Sequence, residues 1–234
     1  MIHTEYFTFN AFQERCTVIW DESGSCAFVD PGCSNKAECD SVTAFVTTKG
    51  LKPECIMLTH AHFDHIYGMD YLAHEYGIPV YIHKDEIFTI EQTNPYVCGA
   101  FGLPLPDTAM ITSLSSPEES DGARVVFIGE GDRIKVGSLD FEVIETPGHT
   151  TGGVCYLERT EKVLFSGDTL FAGAIGRTDH PGGDYDMLMK SIFEKLLHLE
   201  GETAVIPGHG PLTDISTERM TNPFFLPFNE PYEE

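Results

Sequence analysis

The side chains best able to do chemistry arrive in four short groups. The first is His60-Ala-His-Phe-Asp-His65, and the others are Pro147-Gly-His149, Ser166-Gly-Asp168 and Pro207-Gly-His209. Imidazole and carboxylate suit Zn²⁺, and equally Fe²⁺ or Mn²⁺, so the ligand types point to a metal site and leave the metal open. His-x-His on extended backbone sends both rings to one side, while Asp64 and His65, after a turn, can face a second centre. Glycine beside each later group lets the chain leave a strand sharply and lets a ligand come close to the backbone. Together the four groups supply His60, His62, Asp64, His65, His149, Asp168 and His209. Seven donors are too many for one tetrahedral ion; two ions sharing a bridging carboxylate fit the count.

Strand ends gathered on one rim must hold these groups together. The first sixty residues are strand-rich, with β-branched or aromatic runs at His3 to Phe9, Arg15 to Trp20 and Cys26 to Asp30, the last stopped by Asp30-Pro-Gly32. Ala37, Val42, Phe45 and Val46 give Asn35 to Lys49 a helical face that Gly50 ends. The apolar run Cys55 to Thr59 reads as a buried strand and delivers the chain straight into His60. A helix over Ile66 to Tyr76 and a strand over Pro79 to His83 follow. Segment 84–122 reads as a helical or irregular insertion, with Pro104, Pro106, a Ser-rich run at Ser113 to Ser116 and an acidic run at Glu118 to Asp121. Strands resume at Val125 to Ile128, Arg133 to Val136, Leu139 to Thr146, Gly153 to Glu158 and Val163 to Gly167. A helix over Asp186 to Leu199 and a strand over Ala204 to Ile206 complete the series. No internal repeat or linker divides the chain, so 1–234 reads as one domain.

Composition narrows the partners. The chain carries 14 Lys+Arg against 37 Asp+Glu in 234 residues, a formal charge of −23. So acidic a surface repels polyphosphate, which argues against nucleic acid and leaves a small-molecule substrate. No stretch approaches the roughly 18 apolar residues that span a bilayer, and the first residues lack a basic region followed by an apolar one, so the chain reads as soluble, cytoplasmic and without membrane contact. Its seven cysteines are odd in number and dispersed with no C-x-x-C pair, the pattern of reduced thiols filling apolar sites.

With these residues in view, the sequence resembles the metallo-β-lactamase superfamily, whose H-x-H-x-D-H signature is met by His60 to His65. Asp30 before Pro-Gly, then His149, Asp168 and His209, match the later motifs in order. Thr146 to Tyr156, Leu164 to Phe171, Gly176-Arg-Thr-Asp179 and Pro207 to Pro211 are similar to the glyoxalase II (hydroxyacylglutathione hydrolase) branch, particularly its short bacterial members. The resemblance implies a mixed α/β (α+β) fold, a four-layer αββα sandwich with metals at one edge between the sheets. It implies two divalent metal ions, zinc first, with iron or manganese as alternatives. His60, His62 and His149 would hold one ion and Asp64, His65 and His209 the other, with Asp168 bridging and Asp30 behind, orienting an imidazole. The activity implied is hydrolysis of a small thioester by metal-bound hydroxide, with Asp64 and Asp168 positioning it or relaying protons.

Arg177 is expected to bind a substrate carboxylate, as one of few cations near the rim. The chain runs only a few residues past Asn222-Pro-Phe-Phe, without the basic C-terminal helical region of the long glyoxalase II enzymes, so the thiol carrier stays open. A mononuclear iron persulfide dioxygenase, held by His60, His149 and Asp168, is the alternative in another reaction class, and a lactonase is the alternative within hydrolysis. The remaining histidines, His3, His74, His83, His180 and His198, read as surface or satisfied core residues.

Overall fold

A computed structural model of the protein describes residues 1–112 and 124–226. The Ser113 to Ser116 and Glu118 to Asp121 runs lie outside the described residues. Among those residues, two six-stranded sheets form. The first sets β1 (His3–Phe9), β2 (Glu14–Trp20), β3 (Ser25–Val29), β4 (Lys52–Met57), β5 (Val80–His83) and β6 (Val125–Ile128) side by side in chain order. β1 to β3 are antiparallel, and β3 to β6 are parallel. Parallel neighbours need a crossover. α1 (Lys36–Lys49) makes the one between β3 and β4; α2 (Phe63–Ile66) and α3 (Met69–Tyr76) lie in the next.

Local chemistry sets the ends of α1: the Asn35 side chain accepts the Glu38 amide, and Gly50 closes the helix at φ 66°. Of the helix expected over Ile66 to Tyr76, Met69 to Tyr76 forms α3, while Ile66 ends the preceding α2. At Gly68 the chain bends against the Cys33 thiol, and its amide donates to the Pro31 carbonyl at 2.8 Å. Segment 84–112 is helical, with α4 (Glu86–Phe88), a π-helical turn over Thr89–Thr93, α5 (Asn94–Phe101) and α6 (Ala109–Thr112); an irregular stretch carrying Pro104 and Pro106 precedes α6.

β7 (Arg133–Val136), β8 (Leu139–Glu145), β9 (Val154–Glu158) and β10 (Val163–Gly167) form an antiparallel meander in the second sheet. A short ribbon, β11 (Leu170–Phe171) with β12 (Ala174–Ile175), leaves the end of β10. The helix expected over Asp186 to Leu199 is α7 (Tyr185–Ser191) continued by a π-helical turn, Ile192–Leu196. β13 (Ala204–Pro207) pairs parallel to β10, β14 (Thr213–Asp214) covers its other edge, and α8 (Ile215–Thr221) follows.

Alternation along the strands makes the layers. In β3, Cys26 and Phe28 face α1 and α3, while Ala27 and Val29 face the other sheet. In β9, Val154 and Tyr156 face the first sheet, while Cys155 and Leu157 pack on Leu188, Ile192 and Leu196. The order is helix, sheet, sheet, helix, an αββα sandwich. Phe141, Tyr156 and Phe165 are fully buried between the sheets, each contributing about 1.5–3 kcal/mol by burial. The Tyr156 hydroxyl donates to the Leu58 carbonyl at 2.6 Å, tying the sheets together beside the histidine loop. All seven cysteines are buried and unbridged. No helix among the described residues is long and apolar enough to cross a membrane.

Candidate metal centre

The seven donors meet at one end of the sandwich, where the chain leaves β4, β8, β10 and β13. After β4 the chain stays extended through His62 (φ −61°, ψ 145°), the N-cap of α2, so His60 and His62 precede the turn while Asp64 and His65 lie within it. His149 follows Gly148, which sits at φ 134° with a would-be Cβ 2.2 Å from the Leu188 amide; only glycine fits. His209 follows Gly208, where a Cβ would fall 2.5 Å from Asp168 Oδ1 and 2.6 Å from His65 Cε1. Glycine there lets the His209 strand end come against the other donors.

Two groups of donor atoms result. His60, His62 and His149 form one and Asp64, His65 and His209 the other, each with its donor atoms within 4.8 Å of one another. In the first, His149 Nε2 lies 2.9 Å from His62 Nδ1; in the second, His65 Nε2 lies 3.1 Å from His209 Nε2. Asp168 stands between them, Oδ1 at 3.5 Å from His65 Nε2 and Oδ2 at 3.6 Å from His149 Nε2 and 3.5 Å from His209 Nε2. Asp30, His60 and His65 also converge. Asp30, however, spends its oxygens on the Thr59 amide (2.7 Å), the Thr59 hydroxyl (2.6 Å) and His65 Nδ1 (3.1 Å), all behind the donors. It takes φ 48° at the end of β3, a conformation aspartate tolerates better than most residues.

The protons on these rings follow from their partners. Because the Thr59 hydroxyl donates to Asp30, it accepts from His60 Nδ1 at 3.1 Å, which leaves His60 Nε2 as a bare acceptor. His149 Nδ1 donates to the Arg177 carbonyl at 2.7 Å and His209 Nδ1 to the Phe12 carbonyl at 3.1 Å, so both Nε2 atoms face inward. His60 Nε2 and Asp168 Oδ1 are buried and without hydrogen-bond partners. Buried lone pairs with no donor are what a divalent cation satisfies, and the imidazole–carboxylate set suits one.

Electrostatics divides the two groups. Burial, reinforced by neighbouring imidazoles, holds His60 and His62 well below the usual histidine range, and burial brings His149 down to about 4. For His65 and His209 burial acts the same way, but Asp168 and Asp64 outweigh it and raise both. Burial alone would raise Asp64; His65 and His209 overcome it and leave the carboxyl below its ordinary value.

Several residues that position the centre were not singled out in the sequence. Glu86, fully buried, accepts the Ala61 amide (2.7 Å), the Gly152 amide (3.1 Å) and the Thr150 hydroxyl, joining the His60–His62 loop to the turn after His149. Asn94 donates to the Ala61 carbonyl at 2.8 Å and accepts the Phe63 amide at 3.1 Å. Arg15 donates to the Pro207 and Gly210 carbonyls on either side of His209. These residues contact backbone far away in the chain, which no local motif marks. His180, read from sequence as a surface or satisfied core residue, instead packs edge-on to His62 and His149 at 4.7 and 5.1 Å between ring centroids. Arg177 brings its carbonyl to His149, while its side chain, 76% exposed, makes a two-pronged pair with Asp179 at 2.9 and 3.0 Å.

A model of the metallo-beta-lactamase superfamily matches residues 10–209. Hydroxyacylglutathione hydrolase GloC of Haemophilus influenzae is 34% identical over 223 residues, 95% of this chain and 98% of its own length. Among solved structures, BLEG-1, described as a B3 metallo-beta-lactamase, matches with TM-score 0.80 at 33% identity over 95% of this chain and 99% of its own. TTHA1623, solved in a di-iron-bound form, matches with TM-score 0.77 at 35% identity over 94% of this chain and 99% of its own.

Proposed function

Because the chain belongs to the metallo-beta-lactamase superfamily, we propose that it is a thioester hydrolase working on a small acyl thioester of the hydroxyacylglutathione kind. The observation that carries this reading is the pair of three-donor groups facing each other across Asp168. The likeness to GloC supports the thioester class. His60, His62 and His149 would hold one divalent cation and Asp64, His65 and His209 a second, with Asp168 between and zinc the metal of first choice. Metal bound there would supply an activated water as nucleophile and a Lewis acid for the acyl carbonyl.

The chain's own side chains supply the positioning. Asp168 reaches both groups, its Oδ1 beside His65 and its Oδ2 beside His149 and His209, and Asp64 Oδ2, 3.4 Å from His209 Nε2, would keep a negative charge at the second group. Asp30, through Thr59 and His65, sets the rings. Arg177 would take a carboxylate of the substrate in exchange for Asp179. The unbridged cysteines and acidic surface favour a small substrate met in a reducing, cytoplasmic setting.

The test is metal analysis of protein purified without added metal, then assays on thioesters, lactones, a β-lactam and glutathione persulfide. Two metals per chain with thioester turnover is the expected result. One iron with oxygen uptake on the persulfide would replace hydrolysis by the dioxygenase reading, and turnover confined to lactones or β-lactams would replace the substrate class.

A further inference from the structure

The hairpin joining β1 to β2 reaches the donors of the second group from outside. Asn10, the first residue of its turn, takes φ 51°, in the left-handed region that asparagine, aspartate and glycine enter more readily than other residues. Both faces of its side-chain amide are engaged. Nδ2 donates to the Gly32 carbonyl at 3.1 Å and to the Asp64 carbonyl at 3.0 Å, and Oδ1 accepts the Phe12 amide at 2.9 Å. Carbonyls only accept and a main-chain amide only donates, so a single orientation of the amide satisfies all three. The Asn10 main chain is held in turn, its N–H donating to Glu38 Oε1 in the first turn of α1 at 3.3 Å.

Each of the three side-chain bonds leads to one donor of the group Asp64, His65 and His209. Asp64 is held directly, by its carbonyl. Gly32 belongs to the turn after Asp30: its amide donates to the Asp30 carbonyl at 2.9 Å, and the Asp30 carboxylate accepts from His65 Nδ1 at 3.1 Å. Phe12 offers its carbonyl to His209 Nδ1 at 3.1 Å, and its ring stands edge-on to Phe63, the neighbour of Asp64, with centroids 5.0 Å apart. The supports of the other group lie elsewhere, at the Thr59 hydroxyl for His60, at Glu86 for the Ala61 amide between His60 and His62, and at the Arg177 carbonyl for His149.

We infer that Asn10 is the positioning residue of the second donor group: one amide ties the Asp64 main chain to the turn that carries Asp30 and fixes the Phe12 carbonyl that orients His209. Asparagine suits the place because it combines the left-handed backbone with two donors and an acceptor; aspartate lacks the donors and glycine lacks all three. The inference rests on the proposed role of Asp64, His65 and His209 as metal ligands and is independent of which substrate is turned over.

The test adds Zn²⁺ to metal-free protein, reads affinity by chelator competition, and uses NMR of ¹⁵N-labelled histidine to show which rings the ion reaches. N10G keeps the left-handed turn and removes the amide. N10D keeps the turn and the acceptor for Phe12 and removes the two donors; its added negative charge by itself favours a cation, so weaker binding there traces to the missing hydrogen bonds. The expected result in both variants is wild-type affinity at His60, His62 and His149 and about 10- to 100-fold weaker binding at His65 and His209. In metal-free protein, the His209 Nδ1–H signal is expected to exchange faster with water in N10G and to persist in N10D. Wild-type affinity at His65 and His209 in N10G would overturn the inference, and so would equal weakening of both ions, which would make Asn10 a support of the fold at large. If circular dichroism shows N10G unfolded, N10D decides by the same comparison of the two ions. Wild-type protein that takes up no ion on His65 and His209 would overturn the inference together with the two-metal reading, whereas absence of thioester turnover with the affinity pattern intact would count against the proposed function alone.

Discussion

Five histidines within one cluster behave in two ways toward protons. Burial and mutual repulsion keep His60, His62 and His149 neutral, while Asp168 and Asp64 draw protons onto His65 and His209. Protons compete with cations for the same lone pairs, so the sign follows directly: a ring with a lowered pKa stays a ligand on acidification, and one with a raised pKa is lost as a ligand first. Equilibration from about pH 7 to about pH 5 is therefore expected to remove the cation on Asp64, His65 and His209 before the one on His60, His62 and His149. Metal content against pH checks it, and loss of both ions in one step would contradict it. Arg177 belongs to the same scale. With its guanidinium engaged by Asp179, R177A is expected to raise KM about threefold for a carboxylate-bearing thioester and D179A to lower it, while kcat holds; steady-state kinetics decides.

At the scale of elements, α4 and the turns beside the donors do the positioning. Glu86 offers two acceptor oxygens to three donors from two loops. Glutamine keeps one oxygen and would turn an amide NH₂ toward another donor, so E86Q is expected to lower stability by about 1–3 kcal/mol and weaken metal binding, read by denaturant melts and chelator competition. Two glycines separate fold from site. G148A places a Cβ against the backbone of α7 and should leave little folded protein, whereas G208A places it on Asp168 and His65 and should fold while binding metal poorly. Circular dichroism with metal analysis distinguishes them. Segment 84–122 reads from sequence as a helical or irregular insertion, and its described part, 84–112, is largely helical; Glu86 and Asn94 are not legible as supports, because their partners are main-chain groups at Ala61, Phe63 and Gly152 that a local pattern does not connect to them.

At the scale of the molecule, the donors come from both sheets: His60 to His65 follow β4 in the first, while His149, Asp168 and His209 follow β8, β10 and β13 in the second. A cation held between them links the halves of the sandwich, and one that binds only the folded chain stabilises it by about 2.7 kcal/mol at a hundredfold excess over Kd. Chelation is thus expected to lower the melting temperature by several degrees, with recovery on adding zinc; calorimetry checks it. Two divalent ions would also cancel four of the 23 formal negative charges, leaving the acidity mostly on the exterior.

The sequence by itself determined the longer strands, α1 with its Asn35 and Gly50 ends, and which seven side chains are candidate donors, because periodicity, capping and motif spacing are written locally in residue types; the two-residue strands β11, β12 and β14 carry no such pattern. The tertiary structure decided what depends on distant chain segments meeting: that helix 66–76 breaks at Gly68 against Cys33, that Glu86 and Arg15 brace the donor loops, and that His180 lies against His62. A histidine's surroundings are set by the folded chain, and the ring packed against His180 stands 118 positions earlier in it.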